Sequence, residues 1–178
     1  MDKASILQSI PTYLLRSKNY AVTITDLHGN YLFFNDLFKE KYNQLNTNKE
    51  GNSFLSGVHP DDATQITNAA FKCIQNPNET VLVELKKFEE DKHTYFWTSW
   101  EFSAFKNSEN EVVGIICIGH DISESKRSTK LLQESNSKLA SIYNSTQESY
   151  LLISPDYKII AFNKAAEKYT KLVLGQTL

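Results

Sequence analysis

The sequence predicts an α+β domain: a five-stranded antiparallel sheet with helices over one face, followed by a long connecting helix. Three observations support this prediction: β-prone runs joined by short loops, an amphipathic segment between the second and third runs, and a buried strand that leads into a charged helix. The last of these is the segment at residues 112–123, VVGIICIGHDIS. Eight of its first ten residues are β-branched, apolar or glycine, a pattern typical of a strand buried on at least one face.

This strand becomes polar at Asp121, whose side-chain oxygen can accept an amide proton from the first turn of a helix. Residues 124–148 follow, rich in helix formers and without glycine or proline. We therefore expect Asp121 to cap the connecting helix. We also expect it to couple shifts in the sheet to the orientation of that helix.

The chain before the sheet contains a short amphipathic helix. Its apolar residues recur at spacings of three and four, at Ile6, Leu7, Ile10, Leu14 and Leu15. Pro11 is expected to break or re-aim this helix. The apolar stripe needs a partner surface, either the sheet of this domain or a second subunit.

Residues 20–25 and 31–34 are β-prone runs joined by the turn residues 26–30, which predicts a hairpin. Asn35 then caps a short helix that continues to about Tyr42. Residues 58–62, VHPDD, start the next helix, because proline fits a first turn and acids there complement the positive end of the helix dipole. We interpret Asp61 and Asp62 as helix-start charges rather than as an acid–base pair.

Three long strands complete the predicted sheet, at residues 81–88, 94–105 and 111–119. The loops between them are short, which forces antiparallel pairing. The two early strands must then lie beside the three late ones, with the helices packed over one face.

The chain contains an internal repeat, since residues 22–42 align with residues 150–170. Strand, turn, strand and capped helix coincide, and Phe34-Asn35 falls on Phe162-Asn163. After a small deletion, residues 51–54 align with residues 175–178. We expect Leu178 to be a fragment boundary, because two strands and a helix cannot bury a core alone. The predicted organisation is an N-terminal helix (1–18), a first domain (19–122), a connecting helix (123–148) and the start of a second domain (149–178).

The connecting helix carries a weak coiled-coil pattern. Alternating spacings of three and four join Thr129, Leu132, Asn136, Leu139, Tyr143 and Thr146, with leucine at d positions and a polar asparagine at an a position. We favour a dimer seam formed by Leu132, Asn136, Leu139 and Tyr143. The alternative is a single solvated helix that lies on its own domain.

Together these motifs resemble the PAS domain, the sensory module of bacterial signalling proteins. The resemblance rests on the hairpin with its Phe34-Asn35, on the helix start at His59–Asp62 and on Trp97 to Trp100 in the penultimate strand. It is strongest at residues 119–124, GHDISE, which is similar to the closing G-x-D-I-T-E signature of the family with serine for threonine. It covers roughly residues 19–125 and, in part, 150–178.

The resemblance implies a cavity between sheet and helices, and dimers formed through the leading helix and the outer sheet face. In the family, tandem PAS domains usually precede a histidine kinase, a diguanylate cyclase or a similar output domain, expected here beyond Leu178. This implies a cytoplasmic, homodimeric sensor of a two-component system or phosphorelay. The competing interpretation is a ligand-free PAS domain that serves only dimerisation or protein interaction.

Strand alternation places Thr98, Trp100, Phe102 and Ala104 on one face, which points inward by resemblance to the flavin-binding relatives. The predicted cavity residues are Thr23, Thr25, Thr98, Trp100, Phe102, Ile115, Cys117 and Gly119. Two interpretations remain open: a self-filled core, with Trp100 and Phe102 in the space of a ligand, or a small, mostly apolar ligand held by threonine hydroxyls. Trp97 then faces outward, where the leading helix or a partner subunit covers it.

The sequence lacks the motifs that are typical of metal, haem, flavin or catalytic sites. The four histidines, His28, His59, His93 and His120, have no second ligand at metal spacing. Haem is disfavoured because residues 62–75 contain no histidine, and flavin because residues 52–74 lack the cysteine motif of the flavin-thiol photosensors. No nucleophile elbow or glycine-rich phosphate loop occurs, so we expect no enzymatic activity.

Composition sets the remaining limits. The 178 residues carry a net charge of −2 without a basic patch, which argues against nucleic acid as a partner. Cys73 and Cys117 lie inside apolar patterns and suit reduced, buried thiols of a cytosolic protein. No run approaches the ~20 apolar residues that span a bilayer, and the N-terminus is unlike a signal peptide. We therefore expect a cytoplasmic location and no membrane contact of this fragment.

Overall fold

The computed structural model describes residues 6, 8–42, 50–88, 94–169 and 174–175. Residues 1–5 and Leu7 of the predicted N-terminal helix, residues 89–93 between two predicted strands, and residues 170 and 176–178 of the predicted repeat lie outside this part of the chain. The chain forms two compact units, Met1–Lys126 and Arg127–Leu178.

The first unit contains a five-stranded sheet with the spatial order β2-β1-β5-β4-β3. Its strands are β1 Ala21–Asp26, β2 Tyr31–Phe34, β3 Thr80–Phe88, β4 Tyr95–Lys106 and β5 Val112–Asp121. All neighbouring strands pair antiparallel. The predicted α+β class and five-stranded antiparallel sheet are confirmed, and β5 is the central strand.

Four helices accompany this sheet in the described residues: α1 Thr12–Leu15, α2 Asp36–Tyr42, α3 Ala63–Gln75 and α4 Ser123–Ser145. Two short 3-10 helices, Phe54–Gly57 and Pro60–Asp62, precede α3. Residues 6, 8 and 9 are helical, and Pro11, with φ −56° and ψ 135°, separates them from α1. Pro11 therefore interrupts the leading helix as predicted. No helix in the described residues combines the length and the apolar content needed to cross a bilayer.

The outer face of the sheet is covered by the leading residues of the same chain. Ile6 and Ile10 are buried against Ile24, Phe33 and Phe105, which form an apolar cluster separate from the main core. The apolar stripe of the leading helix thus has the first of its two predicted partners, the sheet of its own domain. The main core lies on the opposite face, under α2 and α3.

Asn35 fixes the hairpin of β1 and β2 to the start of α2. Its side-chain Oδ1 accepts hydrogen bonds from Val22 N at 3.0 Å and from Phe38 N at 3.1 Å, so it caps α2 and holds β1 at once. Its Nδ2 donates to the carbonyl oxygens of Tyr20 and Leu14. The side chain is 3% exposed, and its oxygen and its amide group both have partners.

The residues at the start of α3 connect this helix to its own first turn and to the sheet. His59 Nδ1 accepts a hydrogen bond from Asp61 N. Asp62 is buried, and its Oδ2 accepts the backbone amide of Lys86 at 2.7 Å, which ties this helix start to β3. The Asp62 carboxylate is thereby committed to a backbone contact.

The second unit contains β6 Leu151–Ile153, β7 Ile159–Phe162 and α5 Lys164–Tyr169, with the two strands antiparallel. Helix α4 ends at Ser145, three residues before the predicted end at 148. The cause is local: Thr146 Oγ1 and Asn163 Nδ2 both donate to the carbonyl oxygen of Tyr143, which removes this acceptor from a continuing helix.

Candidate functional site

A small cavity lies between the inner face of the sheet and the segments that cover it. Its volume, counted as space open to the centre of a water-sized sphere, is about 30 Å³. One buried water needs ~10–15 Å³ on this measure, so the cavity has room for two waters or a molecule of a few heavy atoms. It is lined by Thr23, Thr25, Tyr31, Phe54, Val58, Ala70, Leu85, Lys87, Trp100, Phe102, Ile115 and Cys117.

Most of the predicted cavity residues meet on this wall. They are Thr23, Thr25, Trp100, Phe102, Ile115 and Cys117. Thr98 and Gly119 are not part of the lining, although Thr98 is fully buried. Both of these residues contact the Trp100 ring instead.

Trp100 is held in place from two sides. Its Nε1 donates to Thr98 Oγ1 at 2.8 Å, and Thr98 Oγ1 in turn donates to the carbonyl oxygen of Leu85 at 3.0 Å. On the other side, a Cβ atom at Gly119 would lie 2.2 Å from Trp100 Cδ2, so only glycine leaves room for the ring. The Thr98 hydroxyl is therefore already hydrogen-bonded within the core. Of the three threonines predicted to contact a ligand, only Thr23 and Thr25 line the cavity.

Lys87 is a cavity residue that the sequence argument missed. It is only 5% exposed, and its Nζ lies 5.6 Å from the ring centroid of Trp100 and 6.0 Å from that of Phe38. No ion pair among the described residues involves it. The alternation on β3 contained a signal, because Val83, Leu85 and Lys87 fall on one face and the first two are buried.

Among the described residues of the cavity wall, Lys87 supplies a positive charge at neutral pH. Burial lowers the pKa of Lys87 to about 8, against a small opposing effect of Cys117. Burial also raises the pKa of the Cys117 thiol to about 12 and that of the Tyr31 hydroxyl above its usual range. Lys87 is therefore mostly protonated at pH 7, while the thiol and the phenol stay neutral.

The segment at residues 50–58 closes the cavity beside the hairpin turn. Phe54 N donates to the carbonyl oxygen of Gly29 at 3.0 Å, and Gly51 N donates to that of Tyr31 at 2.7 Å. Gly29 has φ +81°, and a Cβ atom there would lie 2.6 Å from the Phe54 ring. The Phe54 ring can sit on the cavity only because residue 29 has no side chain.

A second feature joins the sheet to the connecting helix at Asp121. Its Oδ1 accepts the amide of Ser123 at 2.8 Å, and its Oδ2 pairs with Lys41 Nζ at 2.7 Å. Burial alone would raise the pKa of Asp121, but the hydrogen bonds from Lys41 and Ser123 outweigh it and hold the pKa below its usual range. Asp121 thus contacts α2 and the first residue of α4 from the end of β5. The partner Lys41 could not be inferred from the sequence, because nothing local relates it to Asp121.

The first turn of α4 is also attached to β3 and β4. Trp97 N donates to Ser123 Oγ at 2.9 Å, and Ile122 N donates to the carbonyl oxygen of Trp97. Lys126 pairs with Glu84 and lies over the Trp97 ring, 5.1 Å from its centroid. In this chain Trp97 is therefore covered by lysine side chains, whereas the leading residues cover the sheet around Ile24.

The residues of the predicted seam lie on the described part of α4. Leu132, Asn136 and Leu139 are exposed. Tyr143 is half-buried, because its ring stacks on Tyr150 with 6.0 Å between centroids.

No group of three or more histidine, cysteine or acidic side chains is placed to hold a metal ion within the described part of the chain. Cys73 and Cys117 are both free and buried. Cys73 Sγ contacts the carbonyl oxygen of Phe102 at 3.2 Å, which is a packing role inside the core.

Comparison with known proteins identifies the fold. Residues 19–124 match the sequence profile of a family described as PAS domain. No curated protein matches the sequence significantly.

Three solved structures are similar in fold. The PAS domain of a protein from Colwellia psychrerythraea is 20% identical with a TM-score of 0.56, covering 67% of this chain and 98% of that one. An RNA-binding light-oxygen-voltage receptor is 20% identical with a TM-score of 0.53, covering 77% and 39%. The VqmA dimer of Vibrio cholerae is 16% identical with a TM-score of 0.51, covering 64% and 50%. At these identities the likeness concerns the fold alone.

Proposed function

The chain belongs to the PAS domain family, and on that basis we propose that it is the sensory part of a signalling protein. In this proposal the first unit detects a small-molecule or other cytosolic cue. A two-state shift in sheet and helix packing then passes along residues 121–148 to an output domain such as a histidine kinase. The chain itself acts without catalysis.

The observation that carries this proposal is the continuity of β5. The strand that supplies Ile115 and Cys117 to the cavity wall ends at Asp121, which holds the first amide of α4 and the ammonium of Lys41. A change in the cavity that moves β5 therefore acts directly on a capped helix end and on α2. Such a helix cap contributes ~0.5–2 kcal/mol, enough to shift a two-state equilibrium about twofold to thirtyfold.

The dimerising role of α4 is supported by its exposed apolar side chains. Leu131, Leu132, Leu139 and Ile142 are each more than half exposed in the single chain. A second copy of the helix would cover them, with Asn136 setting the register. The fold relative from Vibrio cholerae is a dimer, which is in line with this proposal.

The second candidate is a PAS domain without ligand that only mediates association. It is favoured by the small volume of the cavity, about 30 Å³, and by the indole of Trp100 on its wall. Native mass spectrometry of the purified protein separates the two candidates. Reproducible extra mass, or absorbance above 320 nm, favours the sensor, and a bare dimer favours the association module.

The coupling itself is tested by a double-mutant cycle. Gly119→Ala forces the Trp100 ring to move, and Asp121→Ala removes the cap of α4. Hydrogen exchange in the first turn of α4 reports the free energy of opening of that turn. We expect Asp121→Ala to lower it by ~0.5–2 kcal/mol, and the two changes to deviate from additivity by about 0.5 kcal/mol or more.

Asp61→Ala is the matched control, because Asp61 is an exposed acid at a different helix start. It should be additive with Gly119→Ala. Additivity for Asp121→Ala as well, within about 0.3 kcal/mol, would contradict the proposed coupling. If Gly119→Ala does not fold, Cys117→Ser replaces it as the mild change on the cavity wall.

A further inference from the structure

Lys87 is a buried cation without a described counter-ion. Transfer of an ammonium from water into a protein interior costs several kcal/mol after relaxation. The faces of Trp100 and Phe38 lie 5.6 and 6.0 Å from Nζ, and contacts of this kind return only ~0.5–2 kcal/mol. The cavity beside Lys87 is where the missing partner can be accommodated.

Two buried hydroxyl groups face the same space. Thr25 and Tyr31 are 3% and 2% exposed, and both line the cavity. Neither side-chain hydroxyl hydrogen-bonds to another residue in the described part of the chain, whereas Thr23 contacts Cys117. Buried polar groups are almost always hydrogen-bonded, so three unsatisfied groups around one cavity indicate an absent partner.

The chemistry of that partner follows from charge and size. One ammonium balances one negative charge, so a dianion such as phosphate would leave a net charge in an apolar space. Most of the remaining described wall is apolar, and Val58, Ala70 and Leu85 belong to its aliphatic part. The volume of about 30 Å³ excludes flavins, nucleotides and sugars.

We propose that the cavity binds a short-chain monocarboxylate, with its carboxylate on Lys87 and the hydroxyls of Thr25 and Tyr31 and its alkyl end against the aliphatic wall. This inference deepens the proposed sensory function and rests on it for its biological purpose. It replaces the purely apolar ligand with an anion. Lys87 is then the residue that selects the ligand class.

The test compares acids with their neutral amides. Sodium acetate, propionate and butyrate are titrated at pH 7 and constant ionic strength into the full chain, with acetamide and propionamide as uncharged probes. Two-dimensional NMR follows the Trp100 indole and the amides of β1 and β5. We expect the acids to bind at least about tenfold more tightly than the amides, since a hydrogen bond to a charged group contributes ~1.5–3 kcal/mol.

Lys87→Met is the decisive variant, and Lys86→Met is its matched control. Both change a lysine of the same strand to methionine, but Lys86 lies on the other face and pairs with Asp61. Lys87→Met should weaken acid binding at least about tenfold and abolish the preference for acids over amides. Lys86→Met should preserve both affinity and preference.

A pH titration of the unmodified chain keeps the proposal testable if Lys87→Met does not fold. The other titratable groups on the cavity are Cys117 of β5 and Tyr31 of β2, and α3 and residues 54–58 contribute only Ala70, Phe54 and Val58 to the described wall. Acid affinity should therefore fall about tenfold per pH unit once Lys87 loses its proton, while amide affinity stays constant.

Equal binding of acids and amides, or unchanged acid binding in Lys87→Met, would overturn the proposal. So would a cavity that takes only water, with no probe binding at about 0.1 M. None of these outcomes bears on the coupling between Gly119 and Asp121, because the double-mutant cycle that tests it is measured without any ligand. The proposed function and this inference can thus fail separately.

Discussion

The hairpins at residues 21–34 and 151–162 share the same strand pairing and asparagine hydrogen bonds, but they belong to different units of the chain. In the second, Asn163 is 1% exposed and its Oδ1 accepts Tyr150 N and Ala166 N, both at 3.0 Å. These are the bonds that Asn35 makes at the equivalent positions. The strand register shifts at the equivalent place as well, at Ile24/Thr25 and at Leu152/Ile153.

The two hairpins differ in the residue types at the positions that line the cavity in the first. Where the first has Thr23, Thr25 and Tyr31 on the cavity wall, the second has Leu151, Ile153 and Ile159. The residues that direct the backbone are thus shared, and the residues that give the cavity its hydroxyl groups are not. A polar cavity wall is therefore an addition to the hairpin and not a requirement of it.

The largest effect is expected from removal of the shared asparagine. Asn35→Ala removes this hydrogen-bond partner from the amides of Val22 and Phe38 and from the carbonyl oxygen of Tyr20, each at a cost of about 1–3 kcal/mol when buried. The carbonyl oxygen of Leu14 keeps the amide of Ser17 as a donor. We expect the free energy of unfolding of the first unit to fall by about 4 kcal/mol. Tryptophan fluorescence during urea unfolding measures it, because Trp97 and Trp100 both lie in this unit.

Asn163→Ala is the matched variant in the second hairpin. The hydrogen-bond partners of Asn163 in the described residues lie between residues 143 and 167, so the tryptophan transition should move by less than about 0.5 kcal/mol. Asn35→Asp separates the two functions of the side chain, since it keeps Oδ1 and replaces the amide donor. Equal shifts for Asn35→Ala and Asn163→Ala would show that the hairpins are not independent in stability.

The shared features were predictable from the sequence because they are local. An asparagine after a β-prone run, three residues before the amide that it caps, needs no tertiary information, and the same signal occurred twice. The acid at the end of β5 was predictable for the same reason. The short loops predicted the antiparallel pairing of β1 with β2 and of β3, β4 and β5 with one another. They did not predict the pairing of β1 with β5 that joins the two groups.

The unpredicted features depend on contacts between distant residues or on general expectations. Lys41 reaches Asp121 only because α2 packs beside the end of β5. Strand alternation placed Lys87 on the inward face. Lysine is almost never fully buried, however, so Lys87 was not predicted to line the cavity. The volume of the cavity depends on how closely Phe54 and Trp100 approach, which no pattern of residue types contains.

The next largest effect is a pH dependence confined to the cavity that the first hairpin helps to line. The pKa of Lys87 is about 8 in the fold, below the ordinary value of 10.5, so the fold disfavours the protonated form. This cost to stability is present below pH 8. It disappears as the pH rises from 8 to 10.5, the ordinary pKa of lysine in the unfolded chain. The free energy of unfolding of the unmodified chain, relative to that of Lys87→Met, should therefore increase by about 3 kcal/mol between pH 7 and 10.5.

The difference between the two proteins is the quantity to measure, by urea unfolding at several pH values. Cys117 and Tyr31 have raised pKa values, so they lower the stability of both proteins as the pH rises. The Tyr31 effect cancels in the difference, and the Cys117 effect differs only by the lowering of its pKa that Lys87 causes. A flat difference for Lys87→Met would mean that Lys87 is solvated, and the cavity would then lose its charge.

The smallest effect concerns the turn, where the two hairpins use different residues for the same conformation. Gly29 has φ +81°, and Tyr157, at the equivalent position, has φ +62°. A left-handed conformation costs a side-chain-bearing residue roughly 1–2 kcal/mol, from which the higher chain entropy of an unfolded glycine takes back ~0.5–1 kcal/mol. Tyr157→Gly should thus stabilise the second hairpin by about 0.5 kcal/mol. Gly29→Ala should destabilise the first hairpin by about 2 kcal/mol, since the Cβ atom of the new alanine also meets the Phe54 ring. Hydrogen exchange at Ser154 N and Asp26 N, which donate across the two turns, measures both, and Tyr157→Ala should bring no gain because it keeps the same strain.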